Sequence, residues 1–372
     1  MKQETRRIQL ASPLIDEREE ELVLEVLRSG RLSLGPSGPR FEEALAEFVG
    51  ARYCAAVSSG TGGLHLCMRL AGVRPGDEVI TTPYSFVASA NCAIYEGATP
   101  VFADIDPQTL NLDPAAVEAL VTERTRAVVA VDIFGYPCEL DPLLALCERH
   151  GVALVEDACE ALGAEYKGRR LGSHGHPAVF AFYPNKQMTT GEGGAVTTGS
   201  EEQHRTLVSL RNQGRADAGG WLHHTRFGYN YRLDDVSAAI GIAQVEKLDR
   251  MLAARTEVAA RYDELLAPLD VETPLADDAD HKRSWFVYVV ELPQGVDRDG
   301  VIAELDREGV ASAPYLPSIH LQPYMRERYG FGEGLCPVAE DASRRTLALP
   351  FFPQLELEDQ ERVVEALRAA IG

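Results

Sequence analysis

The sequence predicts an α/β protein with a mostly parallel, seven-stranded sheet covered by helices on both faces. Three observations point there. Between residues 53 and 200, short apolar segments alternate with helical ones, the pattern of repeated strand–helix–strand units. The strand candidates are 53–58, 77–82, 99–104, 126–134, 152–157, 178–183 and 194–198, with helical stretches between most of them, as in a sheet covered on both faces. Of the 372 residues, 45% are apolar, enough to fill such a core.

The elements follow in order. Residues 16–29 carry Leu22, Val23, Val26 and Leu27 on one helical face. Residues 29–39 are too dense in glycine and proline for regular structure, and form either a connector or a loop lining a site. A second helix covers 40–49, and helices at 61–71, 85–96, 114–122 and 140–150 separate the strands. A long helix over 234–265 has an apolar stripe of Val236, Ala239, Ile240, Ala243, Leu248, Met251 and Leu252 and leads away from the sheet. Beyond it lies a smaller α+β unit, with a strand at 284–292, helices at 298–308 and 357–370, and a proline-broken loop at 313–323. The expected division is a large domain of residues 1–245 and a small C-terminal domain of residues 246–372.

Charge and composition narrow the function. A formal net charge of −21 argues against nonspecific nucleic-acid binding, and any anionic substrate must be held by local donors. The first nine residues are charged and lack the apolar stretch of a secretory signal, and no apolar run reaches 18 residues. A cytoplasmic protein with no membrane partner is expected. The seven cysteines, at 54, 67, 92, 138, 147, 159 and 336, form no C-x-x-C pair and are expected to be reduced core thiols. His174 and His176, and His223 and His224, lack helical metal-ligand spacing, so no metal site is expected.

Ligands of parallel sheets bind at the carboxyl ends of the strands. Four features fall there. Ser59-Gly60-Thr61 opens a helix, as either an anion cradle or an ordinary cap. Phe86 is either a platform for a flat ring or a core residue. Asp157 ends an apolar run and needs a partner: a cationic ring nitrogen, a buried arginine or a helix N-terminus. Lys186 follows a buried aromatic run and precedes Gly191, Gly193 and Gly194. A desolvated amine there forms Schiff bases, although a lysine at a strand end also snorkels to solvent. A phosphate, a flat ring, a pyridinium nitrogen and an aldehyde together describe one cofactor, pyridoxal 5′-phosphate.

The chain resembles the DegT/DnrJ/EryC1/StrS family of sugar aminotransferases over essentially its whole length. The resemblance rests on Glu156-Asp157-Ala158 with Glu160-Ala161-Leu162-Gly163, on Asn185-Lys186, on Thr189-Thr190-Gly191-Glu192-Gly193-Gly194, and on Gly228-Tyr229-Asn230-Tyr231-Arg232-Leu233 leading into Ala238-Ala239-Ile240-Gly241. It implies the aspartate aminotransferase (type I) fold. Lys186 would carry the Schiff base, and Asp157 would pair with the pyridine nitrogen. Glu160 would sit by the phenolic oxygen, where many relatives have Gln. Phe86 would stack on the ring. Gly60 and Thr61 would bind the phosphate. Asn230 would reach the phosphate of a neighbouring subunit, making a homodimer with shared sites.

Relatives commonly carry Phe-Ser-Phe where this chain has Phe180-Ala181-Phe182, and that serine binds the phosphate. Ala181 therefore implies weaker cofactor retention or a compensating donor, such as Ser59 or a water. The motifs are most similar to those of perosamine synthases. The implied reaction moves an amino group from L-glutamate to a nucleotide-linked 4-keto-6-deoxy sugar by a ping-pong mechanism. Tyr315 and His320 are candidates for the wall around the sugar, or packing residues of their loop. A 3-keto-sugar or a UDP-linked 4-keto-amino-sugar aminotransferase, and a non-catalytic cofactor-binding regulator, stand as alternatives. A sugar 3-dehydratase of this fold would carry His in place of Lys186.

Overall fold

The computed structural model describes residues 6–216, 220 and 222–372. Met1 to Thr5 of the charged start lie outside the described residues. All seven expected strands join one sheet, in the order Tyr53–Val57, Gly194–Thr198, Ala178–Ala181, Ala153–Asp157, Thr125–Val131, Glu78–Thr81 and Thr99–Phe102. Gly194–Thr198 runs antiparallel to both its neighbours, and the other pairings are parallel. Its first residues therefore lie at the edge where the parallel strands end.

Successive side chains along each strand enter opposite apolar layers. Ala127 and Val129 pack with Leu64 and Met68 of the Gly60–Leu70 helix. Val128 and Ala130 belong to the layer of Phe41 and Leu45 from the Ser37–Val49 helix and Ala238 and Ile242 from the Asp235–Glu246 helix. Both faces are apolar, so the strand sequences lose their polar alternation.

The glycine- and proline-rich loop is pinned. Gly35 and Ser37 donate their N–H groups to the buried Asp235 carboxylate at 2.7 and 2.9 Å, and Asp235 N–H donates to Leu32 C=O at 3.0 Å. The preceding helix, Glu17–Ser29, starts with a capping box between Asp16 and Glu19.

The long helix expected over 234–265 is two helices, Asp235–Glu246 and Leu248–Leu266. They meet at Lys247, which leaves helical geometry at φ −116° and ψ 7°. Its ammonium pairs with Asp16 and Glu19 at 2.9 and 2.8 Å. The apolar stripe continues through the break with no proline or glycine to mark it. The strand expected at 284–292 begins only at Tyr288, because Ser284 N–H donates to Gly135 C=O instead of to a ladder.

Beyond residue 248, a three-stranded sheet of Tyr288–Glu291, Thr346–Leu349 and Ala313–Pro314 packs on the helices Leu248–Leu266, Arg298–Arg307 and Leu357–Ile371. Ile8 belongs to this apolar cluster and pairs with Val310. The loop expected at 313–323 holds the short strand Ala313–Pro314 and a 3-10 turn, Ile319–Leu321. Among the described residues, no helix is long and apolar enough to cross a membrane.

Gly241 sets the approach of two helices. A Cβ there would lie 2.7 Å from the ring of Phe41, which packs edge-on against Phe182 at 5.5 Å. Gly241→Ala is expected to destabilise the protein by about 1–3 kcal/mol through overpacking, read as a lower denaturant midpoint.

Candidate active site

The strand ends enclose a cavity of about 600 Å³. Its lining brings together Ser59, Gly60, Thr61, Phe86, Asp157, Glu160, Lys186 and Tyr315. Ser59 caps the helix and lines the cavity. Its Oγ accepts from Gly62 N–H at 3.0 Å, while the first-turn N–H groups have no intrahelical acceptor. Gly60 is bare of necessity: a Cβ would sit 2.8 Å from Ala181 Cβ and 2.9 Å from Cys159 Sγ. Phe86 is 61% exposed, so it is a wall of the cavity and not a core residue.

Asp157 is buried and meets neutral donors. Ser89 Oγ donates to its Oδ2 at 2.7 Å and Cys159 N–H to its Oδ1 at 3.3 Å. Ser85 stands 2.8 Å behind Ser89. Ser85 precedes the Ala88–Tyr95 helix and Ser89 lies in its first turn, so the loop, not a helical repeat, brings the hydroxyls together. Cys159 is the one half-buried cysteine of the seven and lines the cavity. Burial, and then the Asp157 charge, push its thiol well up.

Lys186 Nζ lies 3.4 Å from Glu160 Oε1 and 4.0 Å from the centroid of the Phe286 ring. Burial raises the Glu160 carboxyl above the usual range, and the Lys186 charge opposes that shift. Glu160 Oε2 also accepts from Phe134 N–H at 3.1 Å. Phe134 has φ 53°, a left-handed conformation that is uncommon for a side-chain-bearing residue. It is held from behind, since Arg283 Nη1 donates to its C=O at 3.1 Å. The next residue must be glycine: a Cβ on Gly135 would lie 1.8 Å from Ser284 O.

Arg255 clamps the lysine segment, donating to Lys186 C=O at 3.0 Å and to Phe286 C=O at 3.1 Å. Neither Arg255 nor Arg283 forms an ion pair among the described residues, and burial lowers each guanidinium to about 10. Sequence reasoning missed Ser89, Phe134, Arg255, Arg283 and Phe286. The four other than Ser89 act through backbone groups or a ring face, which leave no motif.

Tyr315 lines the cavity, with its ring 5.9 Å from that of Phe134. Burial, and then the Glu160 charge, raise its phenol. Two expected residues stand apart. His320 is fully buried with Nε2 3.0 Å from Glu340 Oε1, so it packs its loop and does not wall the cavity. Asn230 is exposed, bridges to Asn212 and lies outside the lining.

Residues 13–368 match the model of the DegT/DnrJ/EryC1/StrS aminotransferase family. The chain is 39% identical to the spore coat polysaccharide biosynthesis protein SpsC of Bacillus subtilis, over 96% of this chain and 95% of that protein. It is 39% identical to the GDP-perosamine synthase of Caulobacter vibrioides, over 97% of each. The solved structure of Helicobacter pylori PseC, an aminotransferase involved in the biosynthesis of pseudoaminic acid, superposes with a TM-score of 0.93 at 30% identity. That match covers 98% of this chain and 99% of that one. Together with the strand-end cavity around Lys186, this match along nearly the full chain means that the protein belongs to the DegT/DnrJ/EryC1/StrS aminotransferase family.

Proposed function

We propose that the chain is a pyridoxal 5′-phosphate-dependent aminotransferase that moves an amino group from L-glutamate to a nucleotide-linked 4-keto-6-deoxy sugar. The observation that carries this reading is the meeting of Lys186, Glu160, Asp157 and the Gly60–Leu70 helix start in one cavity. The residues present fit the cofactor. Gly60 keeps the helix start bare. Asn185 Oδ1 is buried on the lining without a partner. Asp157 lines the same cavity with no cation paired to it among the described residues. The GDP-perosamine synthase relative supports the choice of sugar.

When bound, the cofactor supplies an aldehyde for amine exchange and a ring that withdraws electrons from the reacting carbon. Lys186 would take a proton from the donor's α-carbon and deliver it to the former aldehyde carbon, acting first as base and then as acid. Glu160, at 3.4 Å, holds the lysine ammonium between these roles. Asp157 favours a protonated ring nitrogen, because an adjacent anion stabilises the charged form. Ser89 and Cys159 N–H keep that carboxylate oriented. Phe86, exposed on the cavity wall, would stack on the ring. Ser59, Gly60 and Thr61 hold the phosphate with N–H groups and hydroxyls. The reaction runs in two halves, amino acid in and keto acid out, then keto-sugar in and amino-sugar out. We assign Asn230 to the phosphate of a partner subunit in a homodimer with shared sites, and Tyr315 to the sugar wall.

Lys186→Ala is expected to remove both the visible absorbance band of the lysine-linked cofactor and turnover; retained turnover would overturn the mechanism. Ala181→Ser restores a donor beside the cradle and is expected to tighten cofactor binding by about tenfold, read by equilibrium dialysis. A panel of nucleotide-linked keto-sugars with L-glutamate as donor tests the substrate. Amination of 4-keto-6-deoxyhexoses supports the reading, whereas amination confined to 3-keto-sugars or to UDP-linked 4-keto-amino-sugars replaces it.

A further inference from the structure

We propose that Phe286 and Arg255 are positioning residues for Lys186. The ring face of Phe286 and the carboxylate of Glu160 together form a seat for the lysine ammonium whenever the amine is free of the cofactor. This rests on the reading of Lys186 as the reacting amine. Nζ stands 4.0 Å from the ring centroid and 3.4 Å from Glu160 Oε1. Both distances lie within the range of attraction, one to a ring quadrupole and one to a charge.

Arg255 fixes this arrangement from behind. Its two terminal nitrogens donate to Lys186 C=O at 3.0 Å and to Phe286 C=O at 3.1 Å. One rigid, planar group therefore sets the separation between the lysine backbone and the backbone that carries the ring. Arg255 is 2% exposed, its Nε has no partner, and it forms no ion pair among the described residues. A buried cation without a carboxylate is costly, and an apolar side chain of similar volume would fill the space at lower cost. What an apolar residue would not do is bind the two carbonyls. The other wall of the seat is built alike: Arg283 holds Phe134 C=O, and Phe134 N–H holds Glu160.

The seat limits where the free amine goes. The cavity is open beside Lys186, and a carboxylate alone would let a flexible four-carbon stem swing around it. The ring face closes one side and keeps Nζ next to Glu160. The other titratable groups on the cavity lining are Asp157, the Cys159 thiol, Glu192 and the phenols of Tyr183 and Tyr315. A change at Phe286 leaves Glu160, Asp157 and Cys159 in place.

The test uses the cofactor-free protein and trinitrobenzenesulfonate, which reacts with the neutral amine. The rate of Lys186 modification at one near-neutral pH is read by peptide mass spectrometry. Phe286 is replaced by pentafluorophenylalanine, which nearly keeps the shape and reverses the ring quadrupole, and separately by Leu and by Tyr. Modification is expected to speed up by about 2- to 30-fold with pentafluorophenylalanine and with Leu. With Tyr it is expected to stay within about twofold, since the ring face is retained. Equal rates in all these proteins overturn the seat. Arg255→Lys keeps the charge but does not span both carbonyls, and is expected to raise the rate as well; an unchanged rate in a folded variant overturns the clamp. If that variant does not fold, the near-isosteric fluorinated ring still decides the proposal. The assay needs neither cofactor nor turnover. A failed seat is thus told apart from a failed reaction assignment, which shows as absent transamination by the unmodified enzyme.

Discussion

A parallel strand returns to its starting edge only through a helix on the face of the sheet, so every strand in such a sheet ends on the same side. That constraint collects Ser59, Phe86, Asp157 and Lys186, which are up to 127 positions apart in sequence, around one cavity. The single antiparallel strand serves the same edge in the opposite sense. Gly194–Thr198 begins where its neighbours end, which brings Glu192 and Gly193 to the lining. The apolar layers on the two faces hold the ends rigid, and the chemistry sits on loops that stand on a packed base.

Three interior charges around the site share one design. Asp157 is satisfied by a hydroxyl and an N–H group rather than by an arginine. Arg255 and Arg283 are satisfied by carbonyls rather than by acids. Ion pairs in those places would neutralise the groups locally. Dipolar partners leave each charge free to act at a distance within a medium that screens poorly. The exposed ion pairs at the rim, such as Arg7 with Asp306, are of the ordinary screened kind and contribute little.

The fold was legible because short segments with apolar centres alternate with helical ones, and all seven strands were readable, including Glu78–Thr81 with only two apolar residues. The helix break at Lys247 was not, since it depends on Asp16 and Glu19 more than 200 positions away while the local apolar period continues unbroken. The same reason shortened the strand expected from residue 284. Ser284 and its neighbours have strand-like composition, but their backbone partner is the Gly135 loop. In the site, Lys186, Asp157 and the Ser59 cap stood out as distinctive side chains at strand ends, Glu160 came from the family resemblance, and all four line one cavity. Residues that act through a peptide group, such as Phe134, or by bonding someone else's peptide group, such as Arg255, carry no sequence mark of their role. His320 was left open between cavity wall and loop packing, because a polar residue in a proline-broken loop gives no sign of whether Glu340 waits beneath it.

Ile8 has a consequence for how the chain is made. Its N–H and C=O bond to Gly309 and Ala311, and Leu10 C=O accepts from Phe351 N–H. These partners emerge from the ribosome some 300 residues after Ile8 itself, a delay of about 15 to 60 s at ordinary rates of synthesis. The sheet gains its seventh strand, Gly194–Thr198, more than 100 residues before Gly309, yet the arm around Ile8 still has nowhere to dock. This docking step therefore joins an early-made segment to one made some 300 residues later, like a latch whose catch is fitted long after its bolt. Until then the leading segment stays accessible to whatever binds nascent chains.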